Sequence, residues 1–138
     1  MDLSSVVIDQ LVEKKIKGLT PVCGDFTDLT AFSKYDFVYS RFTFHSIDEI
    51  SENKVLNQLR DVLNDSGVFL LEARTLKDKN LYKKYGVNHY RRYLDFEETI
   101  VKIESKGFKI LFCTESQGLS ICEKEDPYLL RIIARKVL

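Results

Sequence analysis

Tryptophan is absent from this chain of 138 residues, and proline (two), histidine (two), cysteine (three) and glycine (six) are scarce. Each shortage excludes something. The glycines, at positions 18, 24, 67, 86, 107 and 118, form no GxG pair and no GxxxxGK loop, so the usual cradle for nucleotide phosphates is missing. Cys23, Cys113 and Cys122 make no CxxC pair and no metal-ligand spacing. Reduced, buried thiols in a cytoplasmic protein are the expectation, and no metal site. Net charge is lacking too: 21 basic and 21 acidic residues cancel, so the molecule as a whole is not an electrostatic partner for nucleic acid or a membrane surface. No apolar run is long enough to span a bilayer. The opening MDLSSVVIDQ carries Asp2 and Asp9 and lacks the positive n-region of a signal peptide.

What remains is ordinary globular composition, 44% hydrophobic and 30% charged, in a length that suits a single domain over 1–138. Val7, Ile8, Leu11, Val12 and Ile16 recur at helical spacing, which predicts a helix from Ser4 to Lys17 with Ser4 or Ser5 as its cap and Gly18 as its stop. Short strands are predicted over 19–23 and 35–40. Ser51 caps a helix whose apolar face is Val55, Leu56, Leu59, Val62 and Leu63. Asp65-Ser66-Gly67 reads as a turn into the uninterrupted apolar strand Val68–Ala73, of the kind buried on both faces. Asp95 with Glu98 resembles a capping box for a helix through Lys106 that Gly107 closes. Phe108–Cys113 and Leu129–Ala134 are the last strands, with Tyr128 and its strand placed in the core and at the sheet edge. Strands separated by helices imply a mostly parallel, doubly wound α/β sheet, and the final helix-free pair implies one antiparallel strand near the C-terminus.

Several short stretches then resemble, in order, the motifs of the class I S-adenosylmethionine-dependent methyltransferases. Met1-Asp2-Leu3-Ser4 looks like the end of that family's second strand. The resemblance implies that Asp2 holds the cofactor's ribose hydroxyls and that Leu3 packs on the adenine. Cys23-Gly24-Asp25-Phe26 looks like the third-strand motif, with Asp25 on the adenine amino group and Phe26 as its wall. Asp36 to Arg41 resembles the fourth-strand motif, so that Ser40 and Arg41 face the methyl donor, and His45 matches a histidine often found a few residues on. Asp65 to Glu72 resembles the passage into the fifth strand. The implied fold is the Rossmann-like methyltransferase domain with S-adenosylmethionine as cofactor. The family's first strand, glycine-rich loop and first helix have no counterpart, so the domain reads as partial and N-terminally truncated.

Residues 76–94 break the strand–helix rhythm and read as a loop or lid on the acceptor side. Between 74 and 94 lie Arg74, Lys77, Lys79, Lys83, Lys84, Arg91 and Arg92 against the single acid Asp78, with Tyr82, Tyr85, Tyr90 and Tyr93 interleaved. Asn88-His89-Tyr90-Arg91-Arg92 resembles a stretch in bacterial methyltransferases associated with capsule or surface polysaccharide. That resemblance implies a small-molecule or glycan-linked, anionic acceptor held by Arg74, Tyr90, Arg91 and Arg92, for which paired arginines are suited. A solvated basic loop is the plainer alternative. Single-stranded RNA is a further one that the zero net charge disfavours.

Methyl transfer needs an electron pair in line with the methyl group, and a proton acceptor only when the attacking group is a hydroxyl or similar. His45 and His89 are the two histidines available, although a histidine satisfied by a loop carbonyl explains His45 equally well. Asp2 as a helix-start residue and Asp25 as a turn former are the corresponding plain readings. The expected function is methyl transfer, with O-methylation favoured. The competing expectation is a cofactor-free remnant or split subunit that acts as a binding partner. Strand exchange in a homodimer, or a complementing N-terminal fragment, are two ways to complete the sheet.

Overall fold

The computed structural model describes residues 1–32, 34–83 and 88–137. Three helices, α1 (Ser5–Glu13), α2 (Glu49–Val62) and α3 (Phe96–Ser105), accompany four strands: β1 (Tyr35–Arg41), β2 (Leu63–Arg74), β3 (Phe108–Ser116) and β4 (Leu129–Lys136). The strands form one sheet in the order β1-β2-β4-β3. β1 pairs parallel with β2, and β4 is antiparallel to both β2 and β3. The sheet is therefore parallel except for one strand. That strand is interior, and β3 rather than β4 forms the edge, which corrects the expected edge position. β4 reaches the interior because Phe69, Leu71 and Ala73 of β2 lie opposite Ala134, Ile132 and Leu130, all of them buried.

Those six side chains form one floor of the core. Val55, Leu56 and Leu59 from α2, Ile103 from α3, and Phe44, Leu63, Leu94 and Phe108 complete the cluster. At about 25 cal/mol per Å² of apolar area, this layer is the main stabilising term of the domain. α2 and α3 thus cover the same face. The opposite face carries a row across all four strands, Tyr39–Leu70–Ile133–Phe112, and the outermost two of these are each 51% exposed. Phe37, beside Val68, is exposed as well. In place of the doubly wound arrangement, the sheet-packing helices among the described residues form one layer.

Local chemistry accounts for most element ends. The Ser4 hydroxyl accepts from the Val7 N–H at 3.3 Å and starts α1. The helix stops at Glu13, short of Lys17, because Lys15 takes a left-handed backbone, φ 46°, which ends the α-helical ladder. Asp48, not Ser51, caps α2: its carboxylate accepts from the Ser51 N–H at 2.7 Å. Asp95 caps α3 as expected, accepting from the Glu98 N–H at 3.0 Å. The Asp65–Gly67 turn exists as an irregularity inside β2. The register with β1 jumps from Tyr35↔Leu63 to Phe37↔Val68, and Ser66 has φ 62°. The strand expected over 19–23 shrinks to one parallel bridge, Cys23 with Asp2, because only that short segment lies alongside it. No helix among the described residues is long and apolar enough to cross a membrane.

Two glycines test this local account. Gly18 and Gly107 both have left-handed backbones, φ 80° and 79°. A Cβ on Gly18 meets open space, whereas one on Gly107 lands 1.5 Å from Nη1 of Arg60, whose guanidinium donates to the carbonyls of Lys106, Gly107 and Val137. Gly18→Ala is expected to cost about 1–2 kcal/mol, the backbone penalty alone. Gly107→Ala should cost more, because Arg60 must also surrender its carbonyls. Urea-unfolding midpoints of the two variants check this order.

Candidate functional site

In an open α/β sheet, ligands gather beyond the carboxyl ends of the parallel strands. β1 ends at Arg41 and β2 at Arg74, side by side. Glu72, fully buried, ties this end together: one carboxylate oxygen accepts from Arg41 Nε at 3.0 Å and the other from Arg131 Nε at 2.6 Å. Arg41 also donates to the Ser120 hydroxyl at 3.0 Å. Phe42 follows with φ 56°, a left-handed backbone that a bulky side chain adopts only under constraint. Its N–H is held by the Glu72 carbonyl at 2.9 Å, and the guanidinium of Arg41 lies 4.7 Å from its ring centroid.

Two residues beyond Glu72, Arg74 is buried between two carboxylates. It donates to Asp78 at 2.8 Å and to Glu125 at short range. Its main-chain N–H points at Nδ1 of His45, 3.4 Å away. With Nδ1 as the acceptor, the neutral His45 carries its proton on Nε2 and is a donor. Burial, then the positive charges of Arg91 and Arg74, hold its pKa down at about 4. At neutral pH this imidazole is uncharged and weakly basic.

Two cavities flank the strand ends. The first, about 350 Å³, lies beside β1 and is lined by Met1, Val22, Phe26, Val38, Ser40 and Phe44 among others, with no charged residue in its wall. The second, about 360 Å³, is bounded by Arg41, Phe42, His45, Arg74, Arg91, Ser120, Cys122, Glu125 and Pro127.

The expected site residues divide between these surroundings. Asp2 and Asp25 come close through the backbone: the Asp2 carbonyl accepts from the Gly24 N–H at 3.0 Å. One oxygen of each carboxylate serves its own loop, Asp2 accepting from the Ser4 N–H and Asp25 from the Thr27 N–H, both at 2.8 Å. Leu3 is 69% exposed and packs on nothing substantial. Phe26 sits against Phe44, ring centroids 6.2 Å apart, in the wall of the first cavity. The Ser40 and Thr43 hydroxyls hydrogen-bond each other there. Arg41 points away from that cavity and lines the second.

On the acceptor side two of the expected residues already have carboxylate partners. Arg74 is engaged by Asp78 and Glu125, so its guanidinium holds the site together. Arg92 pairs with the buried Glu52 and donates to the Ile47 carbonyl at 3.2 Å, which anchors the loop to the start of α2. Tyr90 and His89 are exposed. Arg91 alone of that stretch enters the second cavity. Lys84 and Tyr85 of the expected lid lie outside the described residues. All three cysteines are exposed and free, contrary to the expected burial: Cys113 is on the edge strand and Cys122 in the wall of the second cavity.

Phe42, Ser120 and Glu125 were not legible as site residues. Ser120 and Glu125 come from the β3–β4 connection and reach the strand ends only through tertiary folding. The one local sign at Phe42, a large aromatic immediately after a strand, is too common to single out.

Neither a family model nor a curated protein matches the sequence. Solved structures do match its fold. A SAM-dependent methyltransferase from Methanosarcina mazei superposes with a TM-score of 0.73 at 16% identity, covering 99% of this chain and 80% of its own. The Burkholderia thailandensis 1,6-didemethyltoxoflavin-N1-methyltransferase, solved with that compound and S-adenosylhomocysteine, gives 0.70 at 13% identity, covering 94% and 56%. The [4+2]-cyclase SpnF gives 0.72 at 13% identity, covering 99% and 64%. The architecture is thus the Rossmann-like fold of S-adenosylmethionine-dependent methyltransferases.

The depressed pKa of His45 has a measurable consequence. Between about pH 6.5 and 4 the unfolded chain takes up a proton that the folded His45 refuses, so the stability this group contributes is complete above 6.5 and falls on acidification. At about pH 5 the loss is on the order of 2 kcal/mol. His45→Asn is expected to remove that part of the pH dependence, read from urea midpoints at about pH 5 and 7.5.

Proposed function

We propose that this chain is a methyltransferase domain that moves a methyl group from S-adenosylmethionine to a small-molecule or glycan-linked acceptor, at oxygen. The observation that carries this reading is the sheet order, with β4 inserted antiparallel between β2 and β3, together with the Asp2–Gly24 backbone bond that sets the segments carrying Asp2 and Asp25 side by side. Fold alone does not fix a reaction. The cyclase among the neighbours makes that plain. The residues matter more.

They fit the adenosine part of the cofactor. Asp2 and Asp25 each satisfy their own loop with one oxygen, which leaves the other to accept, from ribose hydroxyls at Asp2 and from an adenine amino group at Asp25. Phe26 supplies an apolar wall and Ser40 a hydroxyl in the uncharged cavity beside them. Leu3 has the exposure that would let a flat base cover it. When bound, the cofactor supplies an electrophilic methyl group on a sulfonium. The chain's own task is to hold the acceptor in line with it and to exclude water. His45, through Nε2–H, donates a hydrogen bond to the acceptor and orients it. Its low basicity suits it poorly to taking the proton, and His89, the other histidine, is exposed and outside the second cavity. Tyr90 and Arg91, in a stretch similar to that of surface-polysaccharide methyltransferases, support a glycan-linked acceptor. Three free thiols fit a cytoplasmic setting.

A second reading has its own support. The exposed Tyr39 and Phe112 at the ends of the row and the outer edge of β1, unpaired among the described residues, suit a subunit completed by a partner, through strand exchange with a second copy or through a complementing fragment. On that reading the chain binds no cofactor.

Calorimetric titration with S-adenosylhomocysteine separates the two. Stoichiometric binding, weakened about tenfold or more by Asp25→Ala, is expected, because a charge-assisted hydrogen bond contributes about 1.5–3 kcal/mol. A folded chain that binds none of it would favour the partner-subunit reading.

A further inference from the structure

The second cavity has a composition that selects a ligand. Three guanidinium groups border it, from Arg41, Arg74 and Arg91, against one carboxylate, that of Glu125. Two of the three are already satisfied, Arg41 by Glu72 and Ser120, Arg74 by Asp78 and Glu125. Arg91 is different: among the described residues it is the lining guanidinium without a carboxylate partner. The Ser120 hydroxyl and the Nε2–H of a neutral His45 add donors, and Phe42, whose ring lies edge-on to His45 at 5.8 Å between centroids, and Pro127 add apolar surface. Phe42 holds this place at the cost of a left-handed backbone, φ 56°. Constraint of that kind concentrates where a side chain must be presented to a ligand.

Given the methyl-transfer reading above, we infer that this cavity holds the oxyanion of the acceptor, a carboxylate or a phosphate monoester, with Arg91 as its principal partner and Phe42 against the body of the molecule. A neutral acceptor leaves the Arg91 charge uncompensated beside a buried imidazole. An oxyanion supplies the missing countercharge and accepts two parallel hydrogen bonds from one guanidinium. The same anion, facing His45 together with Arg74 and Arg91, offsets part of the positive field on the imidazole, which adds to the effect of burial.

The test uses the whole chain without cofactor and three probes of similar shape: phenyl phosphate, benzoate and benzyl alcohol. The imidazole resonances of His45, separated from those of His89 with a His89→Gln variant, are followed by NMR. Phenyl phosphate or benzoate is expected to shift them saturably and to raise the His45 pKa from about 4, whereas benzyl alcohol does neither. Which of the two anions binds more tightly distinguishes a phosphate from a carboxylate acceptor. Arg91→Gln should weaken binding at least tenfold. Lys77→Gln, which removes an exposed cation paired with Glu115 outside the cavity, should leave it unchanged. Amide spectra of both variants confirm that they are folded. Equal response to benzyl alcohol, an unmoved His45, or equal loss in both variants would overturn the inference. Because no step involves S-adenosylhomocysteine, failure here leaves the cofactor titration intact, and failure of that titration leaves this result standing.

Discussion

The guanidinium of Arg74 is the point on which the carboxyl end of the sheet depends. It is buried, and it brings together Asp78 from the turn after β2 and Glu125 from the β3–β4 connection. Its main-chain N–H meets His45, and its carbonyl accepts from the Leu94 N–H at 3.1 Å. Four separate stretches of chain are thereby held at one residue. Charges taken out of water are tolerated only as such a mutually satisfied group; removing the arginine alone would take a buried countercharge from both Asp78 and Glu125. The second cavity owes its shape to this arrangement.

A buried carboxylate nearby shows the inverse arrangement. Glu72 joins Arg41 of β1 to Arg131 of β4 across β2, on three adjacent strands. Glu52 does the same between Arg92 and Lys102, linking the basic loop and α3 to α2. The excess of cations between 74 and 94 therefore has a structural use before any functional one. Arg74 and Arg92 are countered by acids contributed from elsewhere, Glu125 and Glu52, whereas Arg91 has no carboxylate partner among the described residues.

This explains what was readable in the sequence and what was not. Features set by neighbouring residues were legible: the apolar run Val68–Ala73, the Asp95 cap, the Gly107 stop. A choice between two nearby polar residues, Asp48 or Ser51, was less so, since each can cap a first turn. Features set by distant residues were hidden. Nothing local tells that Arg92 is spoken for, or that Arg74 has a second carboxylate beyond its near neighbour Asp78, because Glu52 and Glu125 lie 40 and 51 positions away. The strand at 19–23 failed for a related reason: apolar composition permits extension, but a ladder needs a neighbour along its whole length. His45 shows a third limit. Its presence after β1 was visible, whereas the direction of its proton depends on the Arg74 N–H.

The inward position of β4 also governs how the chain can assemble on the ribosome. Until residues 129–136 emerge, β2 and β3 have no common neighbour, and the floor formed by Leu130, Ile132 and Ala134 does not exist. Synthesis runs from the N-terminus, so β1, β2 and both covering helices are exposed before the segment that unites them is made. The sheet consequently closes late and as a unit, driven by contacts between residues far apart in sequence.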